Sequence, residues 1–190
     1  MVVTMPAMPS INKPNVDPSK KCRKVRLCFY EPRGESEPWI NRLAAFSGKH
    51  FVSHVEILFE DDSAASIFAE ETVFFRQRTY SNPYYRIKMF LVTNSTYWLM
   101  YDYAWGCSQR QVCFSNTKML CGPWFGCTNW CPDSTFCSEF VTHTLQVGGV
   151  DWAMKLDAGR ITPSQLLDRM NHNETTCFDS TAFKLAIAFK

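Results

Sequence analysis

The sequence predicts an α+β protein in which an antiparallel sheet packs against a helix that carries a cysteine. Two patterns predict this class. Apolar and polar residues alternate with a period of two in several segments between residues 24 and 93, as they do in half-buried strands. Later segments have helical spacing, and one of them, PDSTFCSEFVTHTLQVGG (132–149), ends in two glycines, as many helices do.

The first half of the chain is expected to supply the sheet. Residues 24–30 (KVRLCFY) alternate as a strand, and Ser36, Pro38 and Gly48 can cap, start and stop a helix at 37–47. The strands after this helix are expected to form an antiparallel meander. They are FVSHVEILFED (51–61), SAASIFA (63–69), ETVFFRQRTY (71–80) and YYRIKMFLVT (84–93).

The second half is expected to supply helices. Asn94 or Ser95 can cap a helix whose aromatic and apolar residues continue to Ala104, and residues 106–133, rich in Cys, Gly, Trp and Pro, suggest a loop. Trp124, Phe125 and Trp130 of this loop are expected to line a groove beside the cysteine helix. The remaining elements are the cysteine helix at 135–147, a helix capped by Thr162 and begun by Pro163, and the apolar run TAFKLAIAFK (181–190), an edge strand or a helix.

Length and charge limit the classes of function. A chain of 190 residues suits one domain, here 21–190, with the proline-bearing residues 1–20 as a flexible tail. The net charge is +2 and basic residues cluster only at 20–26, so we do not expect a nucleic acid partner. No stretch reaches the roughly 18 apolar residues of a membrane-spanning helix. The oligomeric state is left open.

The cysteines indicate the compartment. There are nine, an odd number, without the dense even spacing of a small disulfide scaffold, and no signal-peptide pattern precedes them. We therefore expect reduced thiols in the cytoplasm, which is the host cytoplasm if the protein is viral. Cys121, Cys127, Cys131 and Cys137 lack the paired CxxC spacing of structural zinc sites, so neither a metal nor a cofactor is expected.

Cys137 and His54 are the candidate catalytic residues. Cys137 falls in the first turn of its predicted helix, behind the possible caps Asp133, Ser134 and Thr135, where unpaired N–H groups can lower a thiol pKa and stabilise an oxyanion. On position alone, packing is the commoner role for such a cysteine. His54 lies early in a half-buried strand and shares a face with Glu56, whereas His143 is six residues beyond Cys137 and points away from it.

Two segments resemble one enzyme family. SHVEILFEDDSAASIFAEETVFF is similar to the histidine strand pair of NlpC/P60-like papain-type cysteine hydrolases. FCSEFVTHTLQVGGV, followed by ITPSQLLDRM, resembles the cysteine helix and Thr-Pro segment of the circularly permuted branch, in which the histidine strand precedes the cysteine helix. Cys137-Ser138-Glu139-Phe140-Val141 also matches the Cys-x-x-Phe-Val form of lecithin:retinol acyltransferase-like proteins.

The resemblance implies a permuted papain-like fold and a specific chemistry. Cys137 would attack an amide or ester carbonyl of a peptide or lipid substrate, with His54 as general base, through a thioester. The third, orienting residue falls at Ser66, where the family usually has a charged or amide side chain; Glu56 and Glu70 are the alternatives. The rival hypotheses are an inactive interaction scaffold of the same fold and a metal-binding module, which would require zinc to copurify.

Overall fold

The computed structural model describes residues 20–32, 50–80, 83–125 and 133–177. Three predicted features lie outside these residues: nearly all of the N-terminal tail, the helix at 37–47 and the apolar run at 181–190. The aromatic groove predicted from Trp124, Phe125 and Trp130 is likewise not described.

The prediction of an α+β fold with an antiparallel sheet is confirmed. The strands are β1 (Cys22–Tyr30), β2 (His54–Leu58), β3 (Ser63–Ser66), β4 (Phe74–Gln77) and β5 (Tyr85–Thr93). Their order across the sheet is β4-β3-β2-β1-β5, and every neighbouring pair is antiparallel. All five residues of β2, the central strand, are buried, so the histidine strand of the prediction lies in the middle of the sheet.

The predicted four-strand meander is wrong in its last strand. β2, β3 and β4 do form a meander, but β5 pairs with β1 at the opposite edge, from Cys22–Thr93 to Tyr30–Tyr85. The chain therefore crosses the sheet between β4 and β5. Tyr80, from the start of this crossing, and Tyr85, just after it, both bond to Glu56 of β2, so these two residues lie on the face that Glu56 occupies.

Four helices and a short strand pair complete the described residues. The helices are α1 (Asn94–Gln109), α2 (Asn116–Phe125), α3 (Cys137–Val147) and α4 (Pro163–Cys177); the parallel pair is β6 (Cys113–Phe114) with β7 (Ser134–Thr135). The predicted loop at 106–133 is thus wrong, because it includes the end of α1, β6 and α2. Gly122 and Pro123, usual helix breakers, obscured α2 in the sequence.

Other helix boundaries agree more closely with the sequence. α3 ends at Val147, and Gly149 follows with φ of 73°, a conformation that glycine adopts freely. Thr162 and Gln165 cap α4 reciprocally, because each side chain bonds the backbone N–H of the other. The cap of α1, by contrast, is Thr93, whose hydroxyl accepts from the N–H of Thr96, rather than the predicted Asn94 or Ser95.

The main core lies between the sheet and the helices. Val55 and Ile57 of β2 pack there with Phe140 and Leu145 of α3, so this helix lies directly over the central strand. Phe59, just after β2, contacts an aromatic cluster formed by Phe75, Tyr97 and Tyr101. This packing brings the start of α3 to the start of β2. Across the described ranges, no helix combines the length and apolar character needed to cross a bilayer.

Candidate active site

Cys137 is the first residue of α3, and no side chain caps this helix. The N-cap residue, Phe136, is extended, with φ of −131° and ψ of 167°, and makes no side-chain capping bond. Thr135, one of the predicted caps, instead donates its hydroxyl to the carboxylate of Glu139 at 3.1 Å. The first N–H groups of α3 are therefore not covered by a capping side chain and can face an anion.

The Cys137 thiol is nearly enclosed. The residue is 7% exposed, and the N–H groups of Cys137, Ser138 and Val55 face its sulfur. Burial raises the pKa of the thiol to about 11, while these three N–H groups act in the opposite direction. The N–H groups at the helix terminus therefore lower this pKa as expected, but loss of water outweighs them and the net shift is upward. At neutral pH Cys137 is a thiol.

His54 lies on the sheet face opposite the main core, together with Glu56. Its Nε2 is 3.6 Å from Glu56 Oε1, and its ring stacks on Phe68 with centroids 4.5 Å apart. No hydrogen-bond partner of Nε2 is found among the described residues. Burial, with a smaller effect from the Arg78 guanidinium, lowers the pKa of His54 to about 3. The imidazole is therefore neutral at rest and is a weaker base than an ordinary histidine.

Glu56 is the centre of a polar cluster beneath His54. The side chain is completely buried, and its carboxylate accepts from Tyr80 at 2.5 Å and Tyr85 at 2.9 Å and pairs with Arg78 at 3.0 Å. Burial raises the pKa of Glu56, which the tyrosine hydroxyls and Arg78 counteract. Of the three residues considered for the orienting role, Glu56 is the one that the structure brings against His54.

Ser66 and Glu70, the other two candidates, occupy different positions. Ser66 is completely buried and donates its hydroxyl to the carbonyl of Val55 at 2.7 Å. Glu70 is exposed in a turn, with φ of 66°. The pairing of β2 with β3 stops at Ile57–Ala65, so Val55 has no paired residue on β3. Its carbonyl accepts from the Ser66 hydroxyl, and its N–H faces the Cys137 sulfur. Val55 thus links Ser66 to the thiol.

Sequence reasoning missed the residues that surround Glu56. Arg78, Tyr80 and Tyr85 lie in and just after the crossing segment, whose path depends on β5 joining β1. It also missed His50, whose Nε2 lies 2.9 Å from Asp168 Oδ1 and whose N–H donates to Ser164, so that the approach to β2 is tied to α4. No local motif marks these residues.

A separate cavity of about 520 Å³ lies along α3 without including Cys137. Its lining includes Lys118, Glu139, His143 and Arg110. Lys118 and Glu139 are both buried, with Lys118 Nζ 3.7 Å from Glu139 Oε1. Within the described part of the chain, no three His, Cys, Asp or Glu side chains are placed to hold a metal ion; Cys127 and Cys131 are not among those residues.

The start of β2 has polar groups on both faces of the sheet. The Cys137 thiol and three inward N–H groups, one of them from Val55, lie on the helix side of β2, and the neutral imidazole of His54 lies on the other face beside Glu56. Comparison of the chain with models of known families, with curated proteins and with solved structures found no match.

Proposed function

We propose that this protein is a cysteine hydrolase or acyltransferase with a permuted papain-like fold of the NlpC/P60 type, acting on an amide or ester bond. The observation that carries the proposal is the start of α3. Its N–H groups lack a capping side chain and face Cys137, beside the strand that begins with His54. A reduced, cytoplasmic setting would suit a thiol nucleophile.

In the proposed reaction the proton leaves Cys137 during attack rather than before it. The sulfur forms a bond to the substrate carbonyl carbon while the thiol proton passes through a water molecule to His54, whose ring lies on the other face of β2 at rest. The carbonyl oxygen gains negative charge, which the N–H groups of Cys137 and Ser138 stabilise. The bond to the leaving nitrogen or oxygen then breaks, and His54 returns the proton to that atom. Water or a second acceptor attacks the thioester and regenerates the thiol.

Glu56 acts as the positioning residue for His54. A carboxylate near the imidazole stabilises the imidazolium that forms when the thiol proton is transferred. Arg78, Tyr80 and Tyr85 hold this carboxylate in one orientation. Ser66 acts at a distance, because its bond to Val55 fixes the backbone that contacts the thiol.

The test is acylation by an activated ester. After incubation with p-nitrophenyl acetate, intact-protein and peptide mass spectrometry should find an acetyl group on Cys137 that hydroxylamine removes. The Cys137→Ala variant should lose this adduct, whereas Cys113→Ser, a change at an exposed cysteine, should keep it. We expect His54→Gln to slow acetylation about 100-fold, in the range of general-base catalysis.

One observation favours a non-catalytic scaffold of the same fold. The Cys137 thiol is buried, its pKa is raised to about 11, and a closed, neutral thiol is typical of a structural cysteine. If Cys113 is acetylated while Cys137 stays unmodified, or if His54→Gln leaves the rate at Cys137 unchanged, the enzyme proposal is wrong and the scaffold is the better explanation.

A further inference from the structure

β5 forms an edge of the sheet as far as the described residues extend. Two bonds to the β1 side, Glu31 N–H to the Tyr84 carbonyl at 2.8 Å and Asn94 N–H to the Lys21 carbonyl at 3.1 Å, flank this strand. Because antiparallel bonding alternates along a strand, even-numbered residues bond to β1. The odd-numbered residues from 85 to 93 therefore turn their N–H and C=O groups toward the edge.

The same odd-numbered residues carry an apolar row. Ile87, Met89 and Leu91 are 42%, 36% and 36% exposed, whereas Phe90, on the other face, belongs to the main core. A long edge strand that combines unpaired backbone groups with exposed apolar side chains is a template for pairing with another strand. On the helix side, a groove of about 400 Å³, lined by residues including Phe90, Val92 and Trp152, runs beside this edge.

We propose that β5 pairs with β5 of a second copy of this chain, antiparallel, about a two-fold axis at Met89. This register aligns all nine residues of β5 and makes Met89 face Met89 of the partner subunit. Ile87 then faces Leu91 of the partner subunit, so the two apolar rows join. The interface does not depend on the proposed reaction.

The charges on β5 select this register. With the axis at Met89, Arg86 faces the partner's Val92 and Lys88 faces the partner's Phe90. With the axis at residue 88 or 87, by contrast, Lys88 would face either the partner's Lys88 or the partner's Arg86. Directly opposed like charges destabilise strand pairs. The pairing that aligns the full strand is also one that separates the cations.

Sedimentation equilibrium of the full chain tests the proposal. The expected mass is that of a dimer, which Met89→Lys should convert to monomer by placing two ammonium groups at the axis. Leu99→Lys, at a residue 53% exposed on α1, is the matched control and should remain dimeric. A monomeric wild-type chain, or a dimer that Met89→Lys leaves intact, would overturn the proposal.

Cross-linking gives a second test that does not depend on destabilising the interface. In a hydrogen-bonded antiparallel pair the facing Cα atoms lie about 5.5 Å apart, within disulfide range. Oxidised Met89→Cys should therefore yield a peptide joined from residue 89 to residue 89, which Leu99→Cys should not. Hydrogen exchange of the β5 amides gives the opposing outcome. If these amides are protected while the protein is monomeric at every concentration, another segment of the same chain, such as 178–190, covers the edge and the proposal is wrong.

Discussion

Burial keeps both members of the candidate catalytic pair uncharged at rest. It raises the pKa of Cys137 to about 11 and lowers the pKa of His54 to about 3, since loss of water disfavours a thiolate and an imidazolium alike. A preformed ion pair is therefore not the resting state. Catalysis by this pair requires the substrate carbonyl and its developing oxyanion to be in place when the proton moves.

His54 should make the protein less stable in acid. The folded pKa lies near 3 against an ordinary value of 6.5, so between these pH values the unfolded chain takes up a proton that the folded one does not. The contribution is complete above about pH 6.5 and is lost as the pH falls toward 3. Over that window we expect a slope of about 1.4 kcal/mol per pH unit from this residue.

Urea unfolding at a series of pH values measures this slope. His54→Phe retains an aromatic ring against Phe68 but cannot titrate, so its unfolding free energy should depend less on pH by about that amount. Equal slopes for the two proteins would show that His54 titrates normally in the fold.

Among the elements, those set by local pattern could be predicted and those set by distant pairing could not. The period of two identified β2, the paired glycines identified the end of α3, and Thr162 identified the start of α4. The position of β5 depends instead on its fit to β1 and on the path of the crossing segment, for which no local signal exists.

The candidate site divides in the same way. The positions of Cys137 at the start of a helix and of His54 and Glu56 on one strand could be predicted, because they follow from short patterns. The contact between the Val55 N–H and the thiol could not be predicted, because this N–H is free to face the sulfur only where the pairing of β2 with β3 has ended. The opposing pKa shifts were also missed, since they depend on complete burial, which a sequence window does not measure.

Substitutions at Gly149 test whether the conformation after α3 requires glycine. A Cβ added there would meet nothing within 4 Å, but the backbone has φ of 73°, so the penalty for Gly149→Ala is conformational and should be about 1 kcal/mol. Gly149→Asn should be milder, because asparagine tolerates this conformation. Urea unfolding of both variants checks the order; equal stability of the alanine variant and wild type would contradict it.

At the scale of the whole molecule, the sheet is covered differently on its two faces. The helices cover the face that carries Val55 and Ile57. The opposite face has a smaller cluster of Cys28, Leu58 and Ala64, against which Tyr80 and Tyr85 pack. Glu56 lies on this second face, so its bonds to the two tyrosines also fasten the crossing segment to the sheet.

Tyr80→Phe should loosen this fastening. It removes one hydrogen bond to a buried carboxylate while keeping the ring, for which we expect a loss of about 2 kcal/mol in unfolding free energy. In a Glu56→Gln background the same change should cost less, because the acceptor is no longer charged. Chemical denaturation of the four proteins gives the coupling, and strictly additive losses would mean that Tyr80 and Glu56 act independently.

The placement of β1 between β2 and β5 also constrains how the chain folds. β1 is made first, yet both of its partners come later, and β5 follows only after the β2–β3–β4 hairpins are complete. During synthesis β1 therefore stays without its β5 partner until this long-range pairing forms, and long-range pairing is slower than the formation of a hairpin. Until β5 closes onto β1, one edge of β1 stays unpaired, and an unpaired strand edge favours aggregation of newly made chains.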